Sequence, residues 1–387
     1  MKTVLVLGSG ATVGANFKKN ETKVSTDREF FKNKKISDFK STYPALAKIM
    51  ELFSTNESNL GLEETWTHID NLARYYLDVE SKNQVNKLFN EVREKLDQYI
   101  SLCKYIKKLE KSRKKDYIMR NKDYKNEKHK FWLIMAGMDI RQLVLDTYSG
   151  IESKDNPLEK LIKKLDSENL SCITYNYDLG FEKSCGKKGY YYPIENLRKK
   201  LNDDEFFPFK NFDEQEINGI PIIKLHGSLN WEHKLDGFIY LTDNQLETKR
   251  NGYDEENKYC NECKQSYPDF FIQPAIVPPT LHKDEFYKPE NHNKIFRAYH
   301  LLYCKAVEVL QKAEHIIFIG YSFPPTDPHA ALMFRLIDNS PEKISIIDPN
   351  CCELIERFSN ILKINENQIM TYGSIPSFIN SYRPSHF

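Results

Sequence analysis

Two short apolar runs in this chain end in polar side chains of the kinds that bind sugars and move protons. Cys172–Tyr175 leads into Thr174-Tyr-Asn176-Tyr-Asp178, and Ile220–Leu225 leads into Lys224-Leu-His226-Gly-Ser228-Leu-Asn230-Trp231. A carboxamide such as Asn176 offers a donor and an acceptor in fixed geometry, which suits a ribose hydroxyl or a water, and Asp178 can accept from a loop or an amide. Imidazole is the side chain that most readily exchanges a proton near neutral pH, so His226 is a candidate general base. Each residue also has a plainer reading: Asn176 and Asp178 as caps of a turn, and His226 as a structural histidine.

Three further segments share this pattern. Gly8-Ser9-Gly10-Ala11-Thr12-Val13-Gly14 follows the first apolar run, and glycines there let a backbone approach a pyrophosphate while the next helix turns free N–H groups towards it. The spacing is not that of the GxGxxG fingerprint and no lysine follows to make a P-loop, so a structural tight turn remains the alternative. Gly320-Tyr-Ser322 and Asp348-Pro-Asn350 end two more runs. An acidic residue at such a place often accepts from ribose hydroxyls, which makes Asp348 and Asn350 candidates for the adenosine side, or turn residues.

The elements that must carry these residues are legible as strands at Thr3–Leu7, Cys172–Tyr175, Ile220–Leu225, Phe238–Leu241, His315–Ile319 and Lys343–Ile347. Several are apolar at consecutive positions, the mark of strands covered on both faces. Helices are expected at Pro157–Asp166, Ile194–Leu201, Lys294–Lys312, His329–Asp338 and Asn350–Leu362. The alternation predicts an α/β fold with a doubly wound, mostly parallel, Rossmann-like sheet. Its core is expected from 1–26, 151–230 and 291–387. A helical insertion is expected over 27–150, where Trp66, Ile69, Leu72, Ala73 and Tyr76 share one helix face and Val85, Leu88, Phe89, Val92, Leu96 and Ile100 another. A small lobe over 231–290 completes the organisation.

Composition removes several classes of function. The chain has 387 residues, 40% hydrophobic and 13% aromatic, enough to bury a substantial core, and 56 Lys+Arg against 55 Asp+Glu leave a formal charge of +1. No bulk field therefore draws it to nucleic acid or anionic lipid. A local excess exists at Lys104–Lys130, a nucleic-acid surface or a solvated basic helix, with the latter favoured. No stretch approaches the length of a membrane span. The apolar run after Met1-Lys2 stops at Gly8, too short for a secretion signal, and eight scattered cysteines fit a reducing compartment, so a cytoplasmic protein is expected.

Taken in order, Gly8-Ser-Gly-Ala-Thr12, Thr174-Tyr-Asn-Tyr-Asp178, Leu225-His-Gly-Ser228, Ile276-Val-Pro-Pro279, Gly320-Tyr-Ser322 and Ile347-Asp348 resemble the sirtuin superfamily, specifically the sirtuin-like domains of bacterial anti-phage systems. The resemblance implies that Gly8, Ser9, Gly10, Ala11 and Thr12 line an NAD+ pyrophosphate site. It implies that Asn176 and Asp178 stand beside the nicotinamide ribose, that His226 is the catalytic histidine, and that Gly320, Ser322, Asp348 and Asn350 lie on the phosphate and adenosine side.

Two departures bear on the reaction. Deacylating sirtuins continue the glycine loop into Ile-Pro-Asp-Phe-Arg, where this chain has Val13-Gly-Ala-Asn-Phe17, and the Leu-His after the Asn/Asp motif is replaced by Leu179-Gly-Phe181. The resemblance, less these segments, implies cleavage of NAD+ to nicotinamide and ADP-ribose with water as acceptor. The alternatives are an NAD-dependent protein deacylase and a non-catalytic NAD-derivative sensor or assembly scaffold. Zinc-bearing sirtuins use two Cys-x-x-Cys pairs; here one pair, Cys260-Asn-Glu-Cys263, is half a site, so a metal-free degenerate lobe is expected even with His233 and His282 nearby. Unchecked NAD+ loss would starve a cell, which implies a latent activity released in abortive infection. Little chain follows residue 370, so control by homo-oligomer assembly or by a separate partner, a HerA-like hexameric ATPase, is expected.

Overall fold

The computed structural model describes residues 1–26, 29–31, 43, 46–47, 50, 61–77, 128–165, 167–193, 219–234, 237–240, 259–260, 265–266, 274–277, 294–324, 327–338 and 341–383. The chain divides into two compact units. Met1–Thr26, Thr147–Thr242 and Pro274–Phe387 form the first; Asp27–Asp146 and Asp243–Gln273 form the second.

Besides a two-residue antiparallel pair, Lys18–Lys19 with Thr22–Lys23, the strands of the first unit are β1 (Thr3–Leu7), β2 (Leu170–Thr174), β3 (Tyr190–Tyr191), β4 (Ile220–Lys224), β5 (Gly227–Lys234), β6 (Gly237–Tyr240), β7 (Pro274–Ile276), β8 (His315–Ile319), β9 (Lys343–Ile347) and β10 (Ile369–Tyr372). Its helices are α1 (Ser9–Gly14), α2 (Pro157–Lys164), α3 (Gly180–Cys185), α4 (Lys294–Leu310), α5 (Pro328–Arg335), α6 (Cys351–Leu362) and α7 (Ile375–Ser381). Seven strands make one sheet in the order β10-β9-β8-β1-β2-β4-β3, every neighbouring pair parallel. This is the Rossmann-like α/β architecture that the alternation of elements predicts. Every residue of β1 and of β8 is buried, as consecutive Val, Leu and Ile require of strands sandwiched between helices. The chain order reverses about β1, and the carboxyl ends of β1, β2 and β8 meet there, which is where open α/β sheets leave a crevice.

The expected strand at Phe238–Leu241 forms as β6, but outside this sheet. It follows β5 after two residues and pairs with it antiparallel, the only pairing so short a connection allows. Together with β7 it makes a three-stranded sheet, order β7-β5-β6. Two elements went unpredicted at the far edge, β10 and α7. The expected helix at Ile194–Leu201 lies outside the described residues, as do 104–127 of the basic segment and Val85 to Ile100.

Helix ends follow local rules. Asn156 caps α2 by accepting from Leu158 N and Glu159 N, with Pro157 at the first helical position. Ser374 caps α7 by accepting from Ser377 N. The second unit contains helices Leu62–Leu77 and Lys128–Tyr148. Trp66 and Ile69 are buried, the Arg141 guanidinium lies 5.3 Å from the Trp66 ring, and Asp139, buried, accepts from Leu46 N at 3.1 Å.

His315 opens β8 fully buried, its Nε2 2.9 Å from Ser345 Oγ on β9, with the Phe378 and Tyr382 rings alongside. Burial, reinforced by the Lys343 charge, pushes its imidazole down from 6.5 to about 4. The folded protein therefore holds this ring neutral, while the unfolded chain protonates it near pH 6.5. The resulting stabilisation is complete above that value and is lost as pH falls towards 4. Urea titrations should show wild type losing on the order of 3 kcal/mol more between pH 7 and pH 4 than His315→Gln, which keeps a partner for Ser345. Parallel pH profiles for the two proteins would refute this.

Candidate active site

The crevice begins with a contact between two backbones. Gly8 N donates to Ile319 O at 3.1 Å and Gly10 N to Gly320 O at 3.2 Å, so the turn after β1 is bonded to the turn after β8. A Cβ on Gly8 would fall 2.4 Å from Gly320 O, and one on Gly320, whose φ is +57°, would fall 2.3 Å from Gly10 C. No side chain fits between them. These contacts account for the glycines of both motifs and use the N–H groups of Gly8 and Gly10 inside the protein. Ser9 and Gly10 are half-buried, whereas Ala11 and Thr12 are buried.

Asn176 is tied to that turn. Its Nδ2 donates to Gly8 O at 2.9 Å and to Thr12 Oγ1 at 3.1 Å, and Thr12 Oγ1 donates to Asp178 Oδ2 at 2.8 Å. A carbonyl oxygen can only accept, so the amide must present its NH2 to Gly8, and the threonine proton must then go to the carboxylate. This chain of bonds has one direction. It leaves Asn176 Oδ1 as the acceptor not used within the chain. The other Asp178 oxygen accepts from Gly180 N at 2.7 Å, the turn-capping role that was its plainer reading.

Beneath this loop lies a buried ammonium. Lys224 ends β4 with its side chain inaccessible to solvent, and Nζ donates to Asp178 O at 2.6 Å, to Glu182 Oε1 at 2.8 Å and to Tyr177 O at 3.4 Å. Glu182 Oε1 also accepts from Tyr192 OH at 2.9 Å; Asn230 Nδ2 donates to Tyr192 OH at 3.2 Å, and Ser228 Oγ donates to Asn230 Oδ1 at 2.6 Å. The network links β4, β5, α3 and the Asn176 loop, while Glu182 Oε2 is buried with no hydrogen-bond partner among the described residues.

β2 and β4 are in register at Thr174 and Lys224, and Asn176 and His226 each stand two residues beyond that pair. His226 is buried. The Tyr175 ring meets it edge-on at 5.1 Å and the Tyr177 ring lies at 6.2 Å, while Tyr175 stacks on Tyr321 at 4.2 Å. Burial, then the charges of Tyr303 and Asp327, push the Tyr175 phenol well above its usual range. Burial, then Tyr175 and Asp327, do the same to Tyr321. Both phenols stay protonated in the physiological range. Gly227, at φ +80°, lets the chain turn from His226 into β5, where a Cβ would overlap Ala275 O at 1.9 Å. Val277 N then donates to His226 O at 2.8 Å.

The remaining candidates stand further out along the same edge. Ser322 is half-buried, and its carbonyl accepts from Arg357 Nη1 at 3.0 Å. Asp348 Oδ1 accepts from Asn350 N at 2.8 Å in the turn that starts α6, with Asn350 exposed. Cys263 and His282 lie outside the described residues; among the described residues no cluster of three His, Cys, Asp or Glu could hold a metal ion. Three participants carry no sequence signal of their own chemistry. Lys224 reads as an apolar strand emerging into water, Glu182 as a helix-surface acid, and Asp327, before Pro328, as a helix cap.

A parallel sheet with this crevice defines the doubly wound α/β class that takes ligands at the carboxyl edge of its strands. Within that class, residues 170–347 match the family model for a SIR2-like domain, so the chain is similar to the sirtuin superfamily over the stretch that carries Asn176, Asp178, His226 and Gly320. No curated protein matches the chain. Among solved structures it is similar to a Sir2–p53 peptide–NAD+ complex, 15% identical over 67% of this chain and 78% of that one with a TM-score of 0.30. It is also similar to Sir2Tm bound to a propionylated peptide, 15% identical over 69% of this chain and 84% of that one, TM-score 0.30.

The buried pair gives a direct test of the site's construction. Lys224→Met leaves Glu182 charged and unpaired and should cost about 3–5 kcal/mol, whereas Lys224→Met/Glu182→Leu should regain a large part of that loss. Chemical denaturation of the three proteins measures it. A double variant no more stable than the single one would mean that the ammonium's bonds to the Tyr177 and Asp178 carbonyls, and not the ion pair, carry the effect.

Proposed function

We propose that this protein is an NAD+ glycohydrolase, cleaving NAD+ to nicotinamide and ADP-ribose. The observation that supports it is the one-way chain Asn176–Thr12–Asp178 beside a buried imidazole, within the stretch similar to SIR2-like domains. The residues suit the substrate. Asn176 Oδ1 is an acceptor for a ribose hydroxyl or for water, Ser9 and Ser322 are half-buried hydroxyls on the phosphate side, and one carboxylate oxygen of Asp348 is left over from its turn for the adenosine ribose.

Nicotinamide leaves NAD+ as a neutral molecule: the C–N bond breaks with its electron pair going to the pyridine nitrogen, so little acid assistance is needed. The protein's work is to hold the ribose while C1′ carries positive charge and to admit water to it. Asn176 positions the ribose hydroxyl or the water. His226 accepts the proton that water gives up on attack, a contribution typically of 10²–10⁴-fold. Asp178 acts through Thr12, keeping the Asn176 amide turned one way.

The cellular setting rests on the sequence resemblance: a cytoplasmic, homo-oligomeric enzyme, held latent and released in anti-phage abortive infection, with a HerA-like hexameric ATPase as the controlling partner. Among the described residues no helix is long and apolar enough to cross a membrane.

Purified protein incubated with NAD+ should release ADP-ribose and nicotinamide whether or not an acetyl-lysine peptide is present, as followed by chromatography. His226→Ala and Asn176→Ala should each lower the rate at least 10²-fold. Product appearing only with peptide, as acyl-ADP-ribose, would make the protein a deacylase. NAD+ that binds but is never cleaved, even with the ATPase added, would make it a sensor.

A further inference from the structure

We infer that Asp327 is a positioning residue for His226: its carboxylate fixes which imidazole nitrogen carries the proton, and so which one accepts the proton of the attacking water. This deepens the proposed NAD+ cleavage and rests on it for its catalytic consequence. Asp327 Oδ1 lies 3.4 Å from His226 Nε2, and the two side chains are each 5% exposed. That is ion-pair distance without a hydrogen bond, since Nε2 is shut off from solvent and has no hydrogen-bond partner among the described residues. A buried nitrogen of this kind is costly unless something answers it, and a carboxylate beside it is the answer on hand.

Asp327 does not take the role usual for its position. Asp327 occupies the N-cap position of α5, before Pro328, where an aspartate ordinarily accepts from the first turn of the helix; here no side-chain capping bond forms. Among the described residues the rings of Tyr175 and Tyr177 and the Asp327 carboxylate, at the start of α5, stand against the imidazole. Asp327 is thus the one charged group within ion-pair distance of the ring among the described residues. A proton on Nε2 faces the Asp327 carboxylate, and Nδ1 then holds the lone pair. When Nδ1 takes the water's proton, the imidazolium forms directly against a negative charge. This is the base-and-orienter arrangement of nucleophilic and hydrolytic sites, in which the third group sets tautomer and angle without itself gaining a proton.

Two readouts test it. In ¹⁵N-labelled full-length protein, with His226→Gln used to assign its signal, long-range ¹H–¹⁵N spectra should show His226 as the Nε2–H tautomer, and Asp327→Asn should convert it to a tautomer mixture. In NAD+ cleavage, Asp327→Asn should lower kcat by about 10²-fold or more with KM changed less than about 3-fold, because the ribose contacts are untouched. Asp327→Glu should restore part of the rate. A wild-type tautomer carrying its proton on Nδ1, or Asp327→Asn and Asp327→Ala that keep both the spectrum and kcat of wild type, would overturn the inference. Wild type inert towards NAD+ would instead remove the proposed function, and the tautomer spectra would still decide the role of Asp327.

Discussion

The site depends on an ammonium group with no access to water. Lys224 Nζ bridges three things that must stay together: the Asp178 carbonyl, the Tyr177 carbonyl and the Glu182 carboxylate. Removing a charge from water costs several kcal/mol even after relaxation, and only close, complete coordination offsets it. The chain meets that condition by surrounding Nζ with oxygens from the loop after β2 and from α3. The same coordination stiffens the segment that carries Asn176. A hydrophobic pair could fill this space with equal or greater stability, so the ion pair is better explained by the carbonyls it holds in place than by the energy it adds.

The glycines work in the opposite way, by absence. Gly8, Gly10 and Gly320 let the turns after β1 and β8 touch backbone to backbone, and Gly8 O then becomes the acceptor that orients Asn176. The Gly8–Thr12 and Gly320–Ser322 motifs are therefore one structural object. A glycine pattern of this kind invites a phosphate-binding reading, yet two of its N–H groups are already spent on Ile319 and Gly320. Ser9 and Gly10 are the half-buried residues of that turn.

Much of the sheet was legible because its strands are buried on both faces. Thr3–Leu7, His315–Ile319 and Lys343–Ile347 form with the predicted ends, since unbroken Val, Leu and Ile runs have no helical period to compete. β10 was not legible: Ile-Met-Thr-Tyr at a sheet edge is short, carries one well-buried side chain, and follows a helix without a glycine or proline to mark it. Phe238–Leu241 was legible as a strand but not as a member of another sheet, because partner choice depends on connection length and not on composition. In the site, strand-end placement brought out Asn176, Asp178 and His226. The supporting residues escaped because Lys224, Glu182 and Asp327 each have an ordinary local reading, and only tertiary packing shows that all three are buried.

The one-way run of hydrogen bonds from Asn176 through Thr12 to Asp178 has a chemical consequence for the ageing of the molecule. Hydrolysis of the Asn176 side-chain amide would exchange its NH2 for a second oxygen. That oxygen would face the Gly8 carbonyl, which cannot donate, and a threonine whose proton is already committed to Asp178. A change of one mass unit would thus place three acceptors together with one proton among them. The loop could not keep its present arrangement, although one heavy atom had merely replaced another and the side chain was no larger.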